Sequence, residues 1–233
     1  MHIKHKPFLR KNMKITKHAQ SCFYIETTYS NLLLDPGTYV FNEEKVNPIA
    51  FKETDLIIIT HEHRDHFDWG NIQIIMEMSN CNVIGSSTAC QIINEKYPSR
   101  ATNISSGFKH KVVGGIEIEG FPSVHGPLPN GKTPPIVSGV VIDDGETSFY
   151  SPGDSINLNT NVAADIIATP ICGQVVMDIR TAKEQLIIAK PKIAIPIHYN
   201  NPDYPVSVND FVEAMKDIAI EVKVLDWGKS IEI

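Results

Sequence analysis

Short apolar runs rich in β-branched residues recur along the whole chain, and each is bounded by glycine, proline, asparagine or aspartate. β-Branched apolar residues favour strands, and glycine, proline, asparagine and aspartate favour turns. The pattern predicts strands at residues 14–16, 22–26, 31–34, 56–60, 82–85, 111–113, 116–120, 137–142, 148–151, 166–168, 193–196 and 221–225. Because these are many strands for one sheet, we expect two sheets packed against each other.

Helical spacing of apolar residues interrupts the strands in a few places. It predicts helices at residues 87–95, 182–189 and 208–218, with a further helix after Asp68. A serine opens the first of these helices as an N-cap, and Ser207 is positioned to cap the third. The mixture of strands and helices is typical of an α/β fold. No linker or shift of composition marks a boundary, so we expect a basic N-terminal arm at residues 1–12 and a single domain at residues 13–233.

Charge and composition exclude several classes of protein. The chain has 21 lysines and arginines against 27 aspartates and glutamates, and its net charge of −6 argues against a protein that coats nucleic acid. No apolar run reaches the roughly 18 residues of a membrane span, and the basic arm lacks the apolar core of a signal peptide. The four cysteines show no CxxC spacing and fit free thiols. We expect a cytoplasmic protein with a small-molecule substrate, and homo-oligomerisation stays open.

The strongest chemical signal follows the apolar strand at residues 56–60. There the chain continues as His61-Glu-His-Arg-Asp-His66, with four metal-ligating side chains in six residues. The spacing of His61 and His63 puts both imidazoles on one side of an extended segment, and a turn lets Asp65 and His66 face a second position nearby. Imidazoles suit zinc, and a carboxylate extends the choice to manganese or iron. A loop of solvated histidines is the alternative, but chance gives this pattern in fewer than about one shuffled chain in a thousand.

The motif resembles the signature of the metallo-β-lactamase superfamily, whose αββα sandwich carries a metal site at the ends of its strands. The resemblance implies three more ligands, and His125, Asp154 and His198 occur in the expected order, each after a predicted strand. It also implies how the ligands are shared. His61, His63 and His125 would hold one metal ion, Asp65, His66 and His198 a second, and Asp154 would bridge the two.

The flanking residues resemble one branch of that superfamily, the ascorbate-phosphate lactonase-like and N-acyl-phosphatidylethanolamine phospholipase-like hydrolases. Residues 20–26, 33–36, 170–173, 177–178 and 196–200 carry this resemblance. The chain departs from the branch at Gln20, where a histidine is common. His63, where the diiron oxygen-reductase relatives have glutamate, argues against that other branch.

The resemblance implies a dinuclear metal-dependent hydrolase. Two divalent cations, zinc first with manganese or iron as alternatives, would lower the pKa of a shared water toward neutrality. The metal-bridging hydroxide would then cleave a small ester-like bond, and both a lactone and a phosphodiester stay open as substrates. The competing interpretation is a metal-binding regulatory or binding protein with the same fold and little hydrolytic activity. The complete set of ligands favours the hydrolase.

Several residues near the motifs are candidates for catalysis or ligand orientation. Asp65 could also steer the attacking water, and Tyr199 and Asn200 could donate hydrogen bonds to a developing oxyanion. Asp35 is a candidate acceptor for the N–H of a ligand imidazole. A turn before Pro36 explains that aspartate equally well.

Further residues are candidates for the walls of the substrate pocket. Arg64 and Arg180 could meet a phosphate or carboxylate of the substrate, whereas Glu62 is expected to face away from the metals. The resemblance implies that Cys172 lines the pocket. Residues 126–135, with four prolines and two glycines, are expected to form a loop that shapes access to it.

Overall fold

The computed structural model describes residues 12–104, 107–112, 115–199 and 204–233. The first half of the chain contains strands β1 (Lys14–Lys17), β2 (Phe23–Glu26), β3 (Asn31–Leu34), β4 (Leu56–Ile59), β5 (Asn82–Gly85) and β6 (Ala101–Asn103). The same half contains helices α1 (Thr38–Asn42), α2 (Trp69–Ser79) and α3 (Ser87–Lys96), and the 3-10 helix Pro48–Phe51.

The second half contains the remaining strands and helices. Its strands are β7 (Lys109–Lys111), β8 (Glu117–Ser123), β9 (Val137–Asp143), β10 (Ser148–Ser151), β11 (Ile166–Pro170), β12 (Ile193–Ile197), β13 (Glu221–Val222) and β14 (Lys229–Glu232). Its helices are α4 (Ile179–Ala189) and α5 (Val208–Met215).

These strands form two seven-stranded sheets. The first has the order β14-β1-β2-β3-β4-β5-β6, and the second has the order β13-β12-β11-β10-β9-β8-β7. Strands β3 to β6 run parallel in the first sheet, and β10 to β13 run parallel in the second. The last strand, β14, pairs antiparallel with β1 and so belongs to the first sheet rather than to the second.

Three apolar clusters join the layers of the fold. The largest lies between the sheets, where Phe23 of β2 meets Phe149 of β10 with ring centroids 5.0 Å apart. A second cluster packs α2 and α3 onto the first sheet, and a third packs α4 and α5 onto the second. Helices therefore cover the outer face of each sheet, and the expected αββα sandwich is confirmed. Because β4 is covered on both faces, all four of its residues are buried.

Most predicted elements are present with shifted ends. The helix expected after Asp68 is α2, and the carboxylate of Asp68 caps it by accepting from the backbone N–H of Asn71 at 3.1 Å. Ser207 occupies the N-cap position of α5, but its side chain makes no capping hydrogen bond. Helix α5 ends at Met215 rather than at residue 218. The strand predicted at 111–113 pairs instead over Lys109–Lys111, with residue 113 outside the described residues.

Residues 1–11 of the expected basic arm also lie outside the described residues. In the described part of the chain, no helix combines the length and the apolar character that crossing a membrane requires.

Candidate metal centre

All seven predicted ligands lie in loops that follow strands, at one edge of the sandwich. The loop after β4 carries His61, His63, Asp65 and His66, and the loops after β8, β10 and β12 carry His125, Asp154 and His198. The backbone N–H of Ser138 in β9 donates to the carbonyl of Thr60 at 3.1 Å, which ties the end of β4 to the second sheet. Both sheets therefore contribute ligands to one place.

The seven side chains form two groups that share one residue. His61, His63, His125 and Asp154 make one group, and Asp65, His66, Asp154 and His198 make the other. Within each group the potential ligand atoms all lie within 4.8 Å of one another. The structure thus brings together the two sets of side chains that the resemblance implies.

The carboxylate of Asp154 lies at the centre of both groups. Its Oδ2 is 3.9 Å from Nε2 of His61, 3.7 Å from Nε2 of His125 and 3.1 Å from Nε2 of His198. Its Oδ1 is 3.0 Å from Nε2 of His66. One carboxylate therefore faces both groups, as a bridging ligand must.

The imidazole atoms that face Asp154 are buried and have no hydrogen-bond partner. This is true of Nε2 in His61, His66, His125 and His198, and also of Oδ1 in Asp154. Even the short contacts to His66 and His198 lack hydrogen-bond alignment. Buried polar atoms are nearly always satisfied in folded proteins, so five unsatisfied atoms in one place call for a ligand. Imidazole nitrogens around a carboxylate are a donor set that fits divalent cations.

The opposite ring nitrogen, Nδ1, has a partner in the same four histidines. Nδ1 of His66 lies 2.9 Å from Oδ2 of Asp35, and Nδ1 of His125 lies 2.7 Å from the carbonyl of Gly126. Nδ1 of His61 lies 3.1 Å from Oγ1 of Thr60, and Nδ1 of His198 lies 3.2 Å from Sγ of Cys172. Partners on Nδ1 fix the tautomer that leaves the lone pair of Nε2 available to a metal ion.

Asp35 connects two of these imidazoles. Its carboxylate is fully buried and accepts from the backbone N–H of Thr60 at 2.8 Å and from the Thr60 hydroxyl at 2.7 Å. That hydroxyl is then free to accept from His61. Burial raises the pKa of Asp35, although His66 and Thr60 oppose the shift. Asp35 therefore acts as the acceptor that the sequence suggested, and it also occupies the turn before Pro36.

The aspartates and histidines of the centre shift one another's pKa values, which favours ionised carboxylates beside positive charge. Burial opposes charge at His66 and His198, but the neighbouring aspartates, Asp154 first, raise the pKa of both imidazoles well above the usual value. The same imidazoles hold the pKa of Asp154 well below its usual range despite its burial. Burial and the charge of His66 lower the pKa of His61. The buried carboxylate of Asp154 thus requires positive charge nearby, and metal ions can supply it while displacing protons.

Close backbone approaches bring the loops together. A Cβ added at Gly37 would lie 1.9 Å from the carbonyl oxygen of Asp65, so only glycine lets the start of α1 rest on the metal-binding loop. Gly153 adopts a φ of +62°, and a Cβ there would meet Thr60 at 3.0 Å. Three further residues of the centre, Gln20, Asp35 and His198, are non-glycine residues in the left-handed region. Such strain is typical of functional sites.

Two residues outside the ligand set support it. Nε2 of Gln20 donates to Oδ2 of Asp65 at 3.3 Å, so Gln20 supplies an amide donor at the position where the sequence departs from the branch it resembles. The thiol of Cys172 contacts His198 and also the carbonyl of Gly173 at 3.2 Å. Cys172 was expected to line the pocket; it instead supports His198. The carboxylate of Glu62 accepts from Ser86 at 3.4 Å and joins neither group of ligands.

Other predicted site residues lie elsewhere. The hydroxyl of Tyr199, predicted to stabilise an oxyanion, donates to the carbonyl of Leu225 at 3.4 Å, and its ring lies 5.2 Å from Nζ of Lys17. The positive φ of His198, +58°, turns the chain so that Tyr199 packs against the α4–α5 layer. Asn200 lies outside the described residues. Arg180 is exposed and pairs with Glu184 at 3.0 Å, away from the metal centre.

A cavity of about 270 Å³ opens above the ligands. Besides His63, Asp65, His125, Asp154 and His198, its walls contain Tyr39, Arg64, Leu128, Val175 and Tyr204. Leu128 belongs to the loop of residues 126–135, and Arg64 is one of the two arginines that the sequence suggests as anion contacts. Tyr39, Val175 and Tyr204 carry no motif, and only the fold shows that they line the cavity.

Known proteins share this fold and sequence pattern. A family profile described as the beta-lactamase superfamily domain matches residues 14–198. A UPF0173 metal-dependent hydrolase of Pyrococcus horikoshii is 26% identical over 229 residues, which cover 95% of this chain and all of that protein. Two solved structures have similar folds. Igni18, a metallo hydrolase of Ignicoccus hospitalis, has a TM-score of 0.76 at 20% identity over 95% of this chain and 98% of its own. The metallo-beta-lactamase fold protein YhfI of Bacillus subtilis has a TM-score of 0.73 at 18% identity over 96% of this chain and 100% of its own.

Proposed function

Because the chain belongs to the beta-lactamase superfamily and has the metallo-β-lactamase fold, we propose that it is a hydrolase with a dinuclear metal centre. The observation that carries the proposal is the convergence of four buried imidazole nitrogens without hydrogen-bond partners on the carboxylate of Asp154. The name of the Pyrococcus relative, a metal-dependent hydrolase, supports the same activity.

The two groups of side chains would each hold one cation. His61, His63 and His125 are assigned to the first, Asp65, His66 and His198 to the second, and Asp154 to both. We propose zinc as the metal because five of the seven ligands are imidazoles, while the two carboxylates leave manganese and iron as alternatives.

Divalent cations bound in this way supply a hydroxide at neutral pH and polarise the bond that is cleaved. The side chains of the protein position and orient the reactants. Asp65 lines the cavity, and although burial opposes it, the charge of His66 holds the pKa of that carboxyl well below its usual range. So acidic a carboxyl is a poor proton acceptor, and Asp65 is therefore assigned to orienting the attacking water rather than taking its proton. Gln20 holds Asp65 in place.

The substrate is proposed to be a small molecule with an ester-like bond, a lactone or a phosphodiester. A cavity of about 270 Å³ is slightly below the usual range for ligand pockets and limits the substrate to a small compound. The competing role, a binding protein that keeps the centre without turnover, is disfavoured because five ligand residues line an open cavity where a substrate can reach them. A purely structural metal site is normally closed by its own ligands.

A paired measurement of metal content and hydrolysis tests this proposal. The purified protein is loaded with zinc, manganese or iron and assayed with generic lactones and phosphodiesters. Asp154→Ala and His198→Ala should each lower the metal content and reduce turnover by more than 100-fold. His110→Ala is the matched control, because His110 lies in β7 and belongs to neither group of ligands. Full metal content and full turnover in both variants would contradict the assignment.

A further inference from the structure

Arg64 stands between two predicted ligands and lines the cavity. It separates His63 from Asp65 in the loop after β4, and its side chain is exposed to the cavity. The backbone of this residue is fixed, because the N–H of Thr38 donates to its carbonyl at 2.8 Å. Gly37, the residue before Thr38, packs closely against the carbonyl of Asp65, so the same segment also contacts the next residue of the loop. The guanidinium therefore extends from a rigid base next to the metal centre.

No described side chain neutralises the charge of Arg64. Of the arginines in the described ranges, Arg100 donates to Asn82 and Cys81, and Arg180 pairs with Glu184. The guanidinium of Arg64 has no such partner among the described residues. The acids lining the cavity are Asp65 and Asp154, and both belong to the groups assigned to cations. No described acid of the cavity wall is thus available to pair with Arg64.

The lining residues of the cavity that are neither ligands nor Arg64 are uncharged. Leu128 and Val175 are apolar, and Tyr39 and Tyr204 are aromatic. A planar guanidinium binds carboxylates and phosphates through two parallel hydrogen bonds, and it does so best where no competing anion is present. A substrate that fills this cavity would place an anionic group at Arg64 and its carbon skeleton against the apolar wall.

We propose that Arg64 binds a carboxylate or phosphate group of the substrate, remote from the bond that is cleaved. The inference rests on the proposed hydrolase function and narrows it, because the preferred substrates are then small anionic esters or lactones. Arg64 determines specificity and does not take part in the chemical step, so its loss should raise KM for anionic substrates by more than it changes KM for their neutral counterparts.

The test uses matched substrates and the metal-loaded protein. A lactone or aryl ester with a distal carboxylate is compared with its methyl ester, and a second pair replaces the carboxylate with a phosphate. In the wild type we expect kcat/KM for the anionic member to be higher by on the order of tenfold to 100-fold, as one charge-assisted bidentate contact provides. Arg64→Ala should abolish this preference, and Arg64→Lys should keep part of it. Arg180→Ala is the matched control and should keep all of it.

The two anionic pairs identify which group Arg64 binds. A preference confined to the carboxylate pair or to the phosphate pair assigns that group. If the ratio of kcat/KM for the anionic substrate to kcat/KM for its neutral partner is the same in the wild type and in Arg64→Ala, the inference is overturned. The proposed hydrolase function would not be affected by that result. Metal content should stay the same in every variant, which separates a loss of specificity from a loss of the metal centre.

If no substrate is hydrolysed, the proposed function is contradicted, but the inference about Arg64 can still be tested by binding. Calorimetry compares the binding of glutarate with that of its monomethyl ester. Wild-type protein should bind glutarate more tightly than the monoester, and Arg64→Ala should bind the two alike. The same preference in Arg64→Ala and in wild type would overturn the inference.

Discussion

Asp35 accepts a hydrogen bond from Nδ1 of His66 over 2.9 Å, and both side chains are completely buried. The same carboxylate accepts from the Thr60 hydroxyl, which lies 3.1 Å from Nδ1 of His61. One aspartate therefore orients a ligand in each group, directly in one case and through a hydroxyl in the other.

Replacing Asp35 with Asn should weaken metal binding at both positions. The amide lacks the negative charge that supports the two imidazoles, and outer partners of this kind typically contribute 10-fold to 100-fold in affinity. We expect a loss of that size in a titration against a chelator. Asp178→Asn is the control, because Asp178 caps α4 and belongs to neither group of ligands. Unchanged affinity in Asp35→Asn would show that Asp35 only forms the turn before Pro36.

Removing the side chain of Gln20 should affect Asp65 alone. The amide of Gln20 donates to the Asp65 carboxylate at 3.3 Å, and hydrogen bonds to charged groups contribute about 1.5–3 kcal/mol. Gln20→Ala should therefore lower the affinity for the second cation by roughly tenfold or more and leave the first unchanged. Gln20→His keeps a donor and should retain most of the affinity.

The two Gln20 variants test whether glutamine, rather than the histidine common in the branch that the sequence resembles, changes the activity of the protein. A large gain of turnover in Gln20→His would show that the amide has moved this chain away from the chemistry of that branch. Equal affinities in Gln20→Ala and wild type would contradict a supporting role for the amide.

A methyl group at Gly37 should destabilise the protein and its metal centre together. The added Cβ would overlap the carbonyl of Asp65 at 1.9 Å, so either α1 or the metal-binding loop must move. Overpacking of this kind costs about 1–3 kcal/mol. Gly70→Ala is the matched control, since its Cβ meets its nearest neighbour at 3.6 Å and helix α2 gains about 0.5–1 kcal/mol. Chemical denaturation measures both changes, and equal stability of Gly37→Ala and wild type would contradict the close approach.

Lys17 should make stability depend on pH in the alkaline range. Burial lowers the pKa of Lys17 to about 8 from 10.5, although Glu44, Cys22 and Asp226 oppose the shift. Between these two values the unfolded chain binds more protons than the folded one, so stability rises with pH across that window. The shift of about 2.5 pH units corresponds to about 3 kcal/mol.

The measurement compares wild type with Lys17→Met, so that the titration of groups that do not interact with Lys17 cancels in the difference. The free energy of unfolding of the metal-free wild type should increase relative to the variant by about 3 kcal/mol between pH 7 and pH 11. A constant difference between the two proteins would show that the buried ammonium is not destabilised.

The sequence predicts those parts of the molecule that depend on local pattern. Apolar runs predict the central strands. The motif from His61 to His66 predicts metal ligands because metal binding restricts both residue type and spacing. The strands β6 and β14 were missed because Ala101–Asn103 and Lys229–Glu232 are short, polar edge strands that only pairing identifies. Helix α1 has only five residues, too few to be stable alone, and its first N–H donates to the carbonyl of Arg64 in the loop after β4.

Directions of side chains are harder to predict than their positions. Tyr199 follows a strand and a ligand, yet the left-handed conformation of His198 turns its hydroxyl away from the centre. Tyr39 and Val175 reach the cavity through the packing of distant segments, which no local pattern records. The extent of a single domain over residues 13–233 stays a prediction.

The metal content of the zinc-loaded protein tests the dinuclear centre most directly. Elemental analysis after removal of free metal should find two ions per chain in the wild type and fewer than two in Asp154→Ala, because that carboxylate faces both groups. His110→Ala should keep two. A wild type that retains no metal, or an Asp154→Ala variant that retains as many ions as the wild type, would contradict a centre bridged by Asp154.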